Sequence, residues 1–222
     1  MQYSSFFVGE NTLLGYEEGG MRDKAGGEFR RCFNKNKCIF VGVPRVGGES
    51  IFLALGDEYI KKREYHDYQF YQKIDPSRFD QYFKFAFVRH PLDRLFSAYQ
   101  YLRHSGDHSQ SHKALSEELR QYPTFDAFVL NGLTEEKFKS HSLFIPQSHF
   151  IVDDNDRVIM DYVGRFENFE ENLSHVLSHL GIKQGRAHNK RWLTSCSVKC
   201  DESTVNVIRK HYSRDFDNFN YE

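Results

Sequence analysis

Residues 37–55 read KCIFVGVPRVGGESIFLAL, and this stretch decides the fold. Its first part, 37–43, is an apolar run of the kind that a buried parallel strand shows. Residues 44–48 interrupt the run with a proline and two glycines, and residues 49–55 resume with a helix-like composition. The stretch therefore predicts a strand, a tight glycine turn and a helix, in that order.

A second unit farther along the chain has the same order of elements. Residues 84–89 (KFAFVR) are typical of a buried strand, and Pro91 has the backbone angle that suits the first turn of a helix. Apolar side chains recur at helical spacing through residues 92–103, at Leu92, Leu95, Phe96, Tyr99 and Leu102. This unit predicts a strand followed by an amphipathic helix.

The rest of the chain continues the alternation. The predicted elements are a short helix over 124–130 with Thr124 as N-cap, a strand over 157–166, a helix from Asn168 to Leu180 ended by Gly181, and a last helix over 202–212. Strands that alternate with helices predict an α/β protein. We expect a P-loop-like three-layer fold with a central, mostly parallel β-sheet flanked by helices.

Composition limits the kinds of protein that this chain can be. Its 222 residues suit one domain over 1–222, with an irregular lead-in at 1–36 and the core at 37–222. A hydrophobic share of 39% with 27% charged residues is ordinary for a globular protein. The net charge of −1 gives no general attraction to nucleic acid, so we expect any anion site to be local.

The cysteines and the N-terminus bear on metal and location. Cys32, Cys38, Cys196 and Cys200 lack the two-residue gap of common zinc knuckles, so we expect free thiols and no metal. No apolar run reaches the roughly 18 residues that a membrane span needs. Residues 1–20 contain three glutamates and lack a signal-peptide pattern, which predicts a soluble cytoplasmic protein.

The turn after the first predicted strand has the chemistry of an anion site. Its glycines allow backbone N–H groups to approach a phosphate closely, and Arg45 and Ser50 add a positive charge and a hydroxyl donor. Two other interpretations stay open. Gly42 and Gly47 have the spacing of a nucleotide-triphosphatase loop, although that motif's lysine and magnesium-binding hydroxyl are missing, so a kinase or ATPase with a degenerate loop is one alternative. An ordinary strand-to-helix turn is the other.

Both units resemble the sulfotransferases that use 3′-phosphoadenosine 5′-phosphosulfate (PAPS). The closest branch is the carbohydrate type, which includes heparan sulfate uronyl 2-O-sulfotransferases and bacterial relatives. Residues 83–99 (FKFAFVRHPLDRLFSAY) are similar to the family's 3′-phosphate element, and residues 146–148 and 161–168 are similar to its stretch before a long helix. Residues 212–221 resemble its usual ending, so the resemblance covers about 37–222.

The resemblance implies transfer of a sulfuryl group from PAPS to an acceptor hydroxyl on a carbohydrate, without a metal. It implies that the donor's 5′-phosphosulfate is bound by Pro44, Arg45, Val46, Gly47, Gly48, Glu49 and Ser50. It likewise assigns the 3′-phosphate to Arg89 and Ser97, with Arg94 as support. A guanidinium suits this role because its donors match phosphate oxygens.

Two positions depart from the family's pattern, and each concerns charge in the turn. Arg45 stands where the family has lysine, and an arginine cannot readily donate its proton to a leaving group. Glu49 stands where the family has threonine, and a carboxylate facing phosphates lowers affinity unless it points away or pairs with a cation. A catalytically silent relative therefore remains an alternative to an enzyme.

Histidines supply the remaining candidates. His66 lies between the two phosphate motifs in the sequence, where the family often has a histidine, and it is the expected general base. Arg45 is the expected catalytic cation. His149, Lys190 and Arg191 are candidates for acceptor binding. His104, His108 and His112 recur every fourth residue, but the glycine and serines among them favour a solvated loop over a helical metal site.

Overall fold

A three-stranded parallel sheet forms the centre of the fold. The computed structural model describes residues 29–57, 65–104, 110–183 and 198–222. Within them, strands β1 (Cys38–Val41), β2 (Phe83–Val88) and β3 (Tyr162–Arg165) lie in the order β1-β2-β3. Both pairings are parallel, with Val41 opposite Ala86 and Val88 opposite Arg165. With helices flanking this sheet, the predicted α/β fold class is confirmed.

The helices run in sequence around and between the strands. They are α1 (Arg31–Asn36), α2 (Gly48–Ala54), α3 (Tyr68–Ile74), α4 (Pro76–Gln81), α5 (Pro91–His104), α6 (Gln110–Leu119), α7 (Phe125–Asn131), α8 (Glu136–Lys139), α9 (Ser148–Ile151), α10 (Phe169–His179), α11 (Glu202–His211) and α12 (Ser213–Phe219). A short 3-10 turn over Phe166–Asn168 joins β3 to α10. No helix in these ranges is long and apolar enough to cross a membrane.

Two of the observed strands, β1 and β3, are shorter than the sequence predicts. Strand β1 ends at Val41, although Val43 beyond it is equally buried, because the chain leaves the sheet to enter the turn. In the predicted strand 157–166, only Tyr162–Arg165 pairs with β2, and Val158 instead makes an isolated antiparallel bridge to Val152. Apolar character reports burial, whereas strand bounds depend on which backbone groups find a partner.

Part of the predicted lead-in belongs to the folded core. Residues 31–36 form α1 rather than irregular chain, and Phe29, Cys32 and Phe33 are buried with the sheet. Helix α1 ends at Lys37, whose left-handed φ of 52° turns the chain directly into β1. The ordered core therefore begins before residue 37; residues 1–28 of the lead-in lie outside the described ranges.

Two hydrophobic clusters position the elements. The larger cluster surrounds the sheet and includes Phe40, Phe85, Phe87 and Phe169. The second cluster is built from helices on the C-terminal side of β2, with Leu95, Tyr99, Phe128 and Tyr212 among its members. Helix α5 packs its buried face against this second cluster. Since α5 begins three residues after β2, this packing holds its first turn near the end of that strand.

The helix signals near residues 124 and 168 have different outcomes. Thr124 is the N-cap of α7 and accepts a hydrogen bond from the Ala127 backbone N–H at 3.1 Å, which confirms that prediction. Asn168 occupies the N-cap position of α10 but makes no side-chain capping bond. Gly181, with a φ of +67°, follows the end of α10 as predicted.

The predicted solvated loop over the three spaced histidines is wrong where it can be checked. His104 is the last residue of α5, and His112 lies in α6, while His108 is outside the described residues. The glycine and two of the serines lie in residues 105–109, whereas Ser111 is the second residue of α6, which begins at Gln110. His112 faces Tyr101 and His141, with ring centroids 5.6 and 5.4 Å away.

Candidate active site

The carboxyl ends of the three strands meet at one edge of the sheet, because all three run parallel. Strand β1 leads into the turn over residues 42–47, and β2 leads to Arg89 and His90. Strand β3 leads to Phe166. This edge therefore gathers the predicted phosphate motifs, and in open α/β sheets it is the edge at which ligands bind.

The turn after β1 has left-handed backbone at two positions. Gly47 has a φ of +80°, and a Cβ atom there would lie 2.8 Å from a ring carbon of Phe169, so only glycine fits. Arg45 has a φ of 71°, which is uncommon for a residue with a side chain. Val43, Pro44 and Val46 are buried beneath the turn and anchor it to the core.

The side chain of Arg45 reaches from this turn to helix α5. Its Nε donates a hydrogen bond to the Ser97 hydroxyl at 3.2 Å. Its guanidinium lies over the ring of Tyr101, one helical turn later, at 4.7 Å from the ring centre. The structure thus brings together Arg45 and Ser97. From the sequence we expected Arg45 to bind the 5′-phosphosulfate of the donor and Ser97 to bind its 3′-phosphate.

Arg89 is the first residue after β2, and only 4% of it is exposed. Its guanidinium lies over the Phe166 ring at 4.4 Å. Its backbone N–H donates to Gln147 Oε1 at 2.9 Å, and its carbonyl accepts from Gln147 Nε2 at 2.8 Å. Ring and amide hold Arg89 from two sides.

Phe166 joins the two phosphate motifs. It carries the guanidinium of Arg89 on its face, and its ring lies 3.4 Å from where a Cβ atom of Gly47 would be. The ring itself is 6% exposed. The glycine turn and Arg89 are therefore neighbours across one buried aromatic side chain.

Arg94 has a different task from the expected support of the phosphate site. It is fully buried, and it donates to the carbonyl oxygens of Leu143 and Ile145 at 3.2 and 2.8 Å. Its guanidinium also lies over the Tyr212 ring at 5.3 Å. The Arg94 side chain thus anchors the segment that precedes Gln147.

The remaining turn residues lie at the start of α2. Gly48 is its first residue, and Glu49 and Ser50 belong to its first turn. Glu49 is exposed to solvent, whereas Ser50 is half-buried. An exposed carboxylate at a helix start is favoured by the helix dipole, and water screens its charge.

His66 lies in the segment that passes the end of β1. The ring of the preceding Tyr65 is 3.9 Å from where a Cβ atom of Gly42 would be, which places this segment beside the turn. The His66 ring stacks on Phe70 with centroids 3.5 Å apart, and it is half-buried. Asp67 caps α3 by accepting from the Phe70 N–H at 2.8 Å, which fixes His66 relative to that helix.

A polar network closes the outer side of the second motif. The His90 backbone N–H donates to Glu167 Oε1 at 2.7 Å, and the Tyr221 hydroxyl donates to Glu167 Oε2 at 3.1 Å. Burial, and then the Glu167 charge, raise the pKa of Tyr221. Burial also raises the pKa of Asp93, one turn into α5, against the opposing effect of Arg89. His90 therefore shapes the loop, and Tyr221 stays a hydrogen-bond donor.

Of the three predicted acceptor residues, His149 lies within the described part of the chain. His149 is exposed on α9, with its ring edge toward Phe150 at 5.6 Å. Lys190 and Arg191 lie outside the described residues. Among the parts of the chain that the structure describes, no group of three histidine, cysteine or acidic side chains could hold a metal ion.

Comparison with known protein families gives a match over most of the chain. The family model described as the Sulfotransferase family matches residues 34–222. This chain belongs to the sulfotransferase family. The matched region begins within α1 and includes the glycine turn, Arg89 and α5. No curated protein and no solved structure matches the chain.

Membership of the sulfotransferase family makes the chain a transferase of sulfuryl groups. Two residues at its strand-end site carried no assigned role in the sequence. Gln147 was visible only as part of a family-like stretch, since its pairing with Arg89 spans 58 positions. Tyr101 continues the spacing of Ser97 along α5 by four residues, which is the signal that could have revealed it.

Proposed function

We propose that this sulfotransferase uses PAPS as donor and a carbohydrate hydroxyl as acceptor. The observation that carries the proposal is the contact between Arg45 of the glycine turn and Ser97 of α5, with Arg89 alongside across Phe166. Two guanidinium groups, a hydroxyl and a glycine turn at one sheet edge fit a ligand with two separate phosphate ends.

The donor's two ends have separate partners in this proposal. The turn residues Pro44 to Ser50 bind the 5′-phosphosulfate, chiefly through backbone N–H groups that Gly47 and Gly48 leave accessible. Arg89 and Ser97 bind the 3′-phosphate, the group that distinguishes PAPS from an adenylate. The hydrogen bond of 3.2 Å from Arg45 to Ser97 is then exchanged for bonds to phosphate oxygens when the donor binds.

Arg45 supplies the positive charge that the transfer needs. When bound, PAPS supplies a sulfuryl group open to in-line attack, and charge develops on the bridging oxygen as it leaves. A guanidinium in the turn stabilises that charge, although it does not transfer its proton.

His66 is the proposed general base. Its segment passes beside the end of β1, and its stacking on Phe70 holds the ring in one plane. A neutral imidazole at this position accepts the proton from the acceptor hydroxyl as the oxygen attacks. His149, Lys190 and Arg191 are proposed contacts for the acceptor.

Transfer of label from radiolabelled PAPS tests the proposed function. The purified chain is incubated in EDTA with a panel of oligosaccharides, with a phenol and an amine as competing acceptor classes. We expect labelled oligosaccharide and a matching amount of adenosine 3′,5′-bisphosphate, with a loss of about 100-fold in His66→Asn. His104→Asn, a change on the exposed end of α5, is the matched control and should keep its activity. A parallel incubation with ATP contains magnesium and no EDTA. Magnesium-dependent hydrolysis of ATP there, without sulfuryl transfer from PAPS, would overturn the proposal.

A further inference from the structure

The side chain of Gln147 replaces a neighbouring strand at the end of β2. In a strand, the N–H and C=O of one residue point to the same side, where a partner strand would pair with both. At Arg89 both groups pair instead with one amide, as acceptor at 2.9 Å and as donor at 2.8 Å. A primary amide side chain offers an acceptor and a donor side by side without having to take up a proton, as a carboxylate would. Gln147 is fully buried, so each bond is shielded from water.

Gln147 is itself fixed from helix α12. Asp215 is fully buried, and its two carboxylate oxygens accept from the backbone N–H groups of Gln147 and Ser148 at 2.9 and 2.8 Å. Hydrogen bonds to a charged acceptor are the stronger kind. The backbone of Gln147 is thereby held independently of its own side chain.

The segment before Gln147 also has its own anchors. Arg94 donates to the carbonyls of Leu143 and Ile145, and the Tyr212 hydroxyl donates to the Phe144 carbonyl at 2.6 Å. Residues 143–148 therefore stay in place without the Gln147 amide. What that amide adds is the position of the Arg89 backbone.

We propose that Gln147 is a positioning residue that sets the selectivity of the donor site for a 3′-phosphate. It fixes the Arg89 backbone on one side, while Phe166 supports the guanidinium on the other at 4.4 Å. A misplaced Arg89 loses its bonds to the 3′-phosphate, and the partners of the 5′ end, on a different element, are unaffected. This inference rests on the proposed donor site.

Gln147→Glu is the sharpest variant. It keeps the length of the side chain and the acceptor for the Arg89 N–H, but as a carboxylate it places a second acceptor oxygen against the Arg89 carbonyl, so the affinities are measured at a pH high enough to ionise it. Gln147→Met removes both bonds at similar length and should act in the same direction, more strongly. Gln81→Glu, an exposed position at the end of α4 that precedes β2, is the matched control for the added charge.

The experiment measures affinities for adenosine 3′,5′-bisphosphate and adenosine 5′-monophosphate by calorimetry in EDTA, with thermal unfolding recorded for each protein. We expect the ratio of the two affinities to fall about tenfold in Gln147→Glu and to stay unchanged in Gln81→Glu. A merely structural role would lower the melting temperature and weaken both ligands equally, and that result overturns the inference. Should Gln147→Glu not fold, the ratio in Asp215→Asn decides, because that change loosens Gln147 and keeps its amide.

Failure of the inference and failure of the donor site give different results. If the wild-type chain does not prefer the bisphosphate over the monophosphate, the proposed PAPS site is wrong. If the wild-type chain has the preference and both Gln147 variants keep it, the donor site stands and the positioning role of Gln147 is wrong.

Discussion

Arg45 combines an uncommon backbone conformation with a side chain that is held on helix α5. It takes a left-handed φ of 71°, and its side chain is held by the Ser97 hydroxyl and the Tyr101 ring. A backbone conformation of this kind costs a residue with a side chain about 1–2 kcal/mol. Such a cost at a ligand-binding turn is consistent with a role for the side chain rather than for stability.

Arg45→Ala should therefore cost activity more than stability. Removing the cation is expected to lower the rate of sulfuryl transfer about 100-fold, because one group that stabilises developing charge is lost. Arg45→Lys, which restores the family's residue, should keep at least the wild-type rate. Single-turnover measurements with labelled PAPS check both, and an Arg45→Ala enzyme as fast as the wild type would exclude the catalytic role.

The residue-scale roles could be predicted only where neighbouring positions in the chain carry the signal. Arg89 and Ser97 lie eight positions apart across the start of one helix, and the family-like motif contained both. Gln147 pairs with a backbone 58 positions away, and Arg45 meets Ser97 across 52. Such pairings depend on how the elements pack, and no local pattern reports them.

At the scale of elements, the glycine turn is set by one close contact. A methyl group on Gly47 would be strained by the φ of +80° and would also meet the Phe169 ring at 2.8 Å. Gly56 is the matched comparison, because it has a φ of +82° with nothing within 4 Å of an added methyl group. The difference between the two positions isolates the ring contact.

Gly47→Ala should lower the free energy of unfolding by about 1–3 kcal/mol more than Gly56→Ala, since overpacking adds to the same backbone strain. It should also weaken binding of adenosine 3′,5′-bisphosphate. Urea unfolding of both variants measures the difference. Equal losses at the two positions would show that Phe169 moves away freely and that the turn is not held by it.

The elements themselves were predictable to different degrees. Strands β1 and β2 and helices α5 and α10 follow from apolar runs and spacing, because their buried faces are continuous in sequence. Helix α6 was missed, since the glycine and serines before it favoured a loop. Helices α3 and α4 were also missed; their N-caps are Asp67 and Asp75, whose side chains accept from backbone N–H groups of the first turn. Short helices depend on such caps more than on periodicity.

At the scale of the whole molecule, two half-buried histidines make stability depend on pH. Burial, and then the neighbouring His112, lower the pKa of His141 to about 4, and its Nδ1 accepts from the Leu143 N–H at 3.3 Å. Burial, and then Arg94, lower the pKa of His211 as well. Both rings stay neutral in the folded chain at pH values where an unfolded histidine, with a pKa near 6.5, takes up a proton.

The free energy of unfolding should thus be highest above about pH 6.5 and should fall as the pH is lowered toward 4, because the unfolded chain binds more protons. After allowance for solvent screening, His141 should account for about 2 kcal/mol of this loss. Urea unfolding at several pH values measures the slope. His141→Asn should flatten the dependence of the unfolding free energy on pH, and His104→Asn, at an exposed position, should not. An unchanged slope in His141→Asn would mean that His141 takes up its proton in the folded chain over the same pH range as in the unfolded chain.

The central claim is that the sheet edge of this sulfotransferase binds PAPS through both of its phosphate ends. The most direct measurement is a calorimetric titration with adenosine 3′,5′-bisphosphate and with adenosine 5′-monophosphate in EDTA, on the wild-type chain and on Arg89→Ala. A parallel titration with magnesium-ATP uses a buffer without EDTA. We predict metal-independent binding of the bisphosphate at least about tenfold tighter than the monophosphate, and loss of that preference in the variant. A preference for magnesium-ATP, or equal binding of the bisphosphate and the monophosphate, would contradict the account.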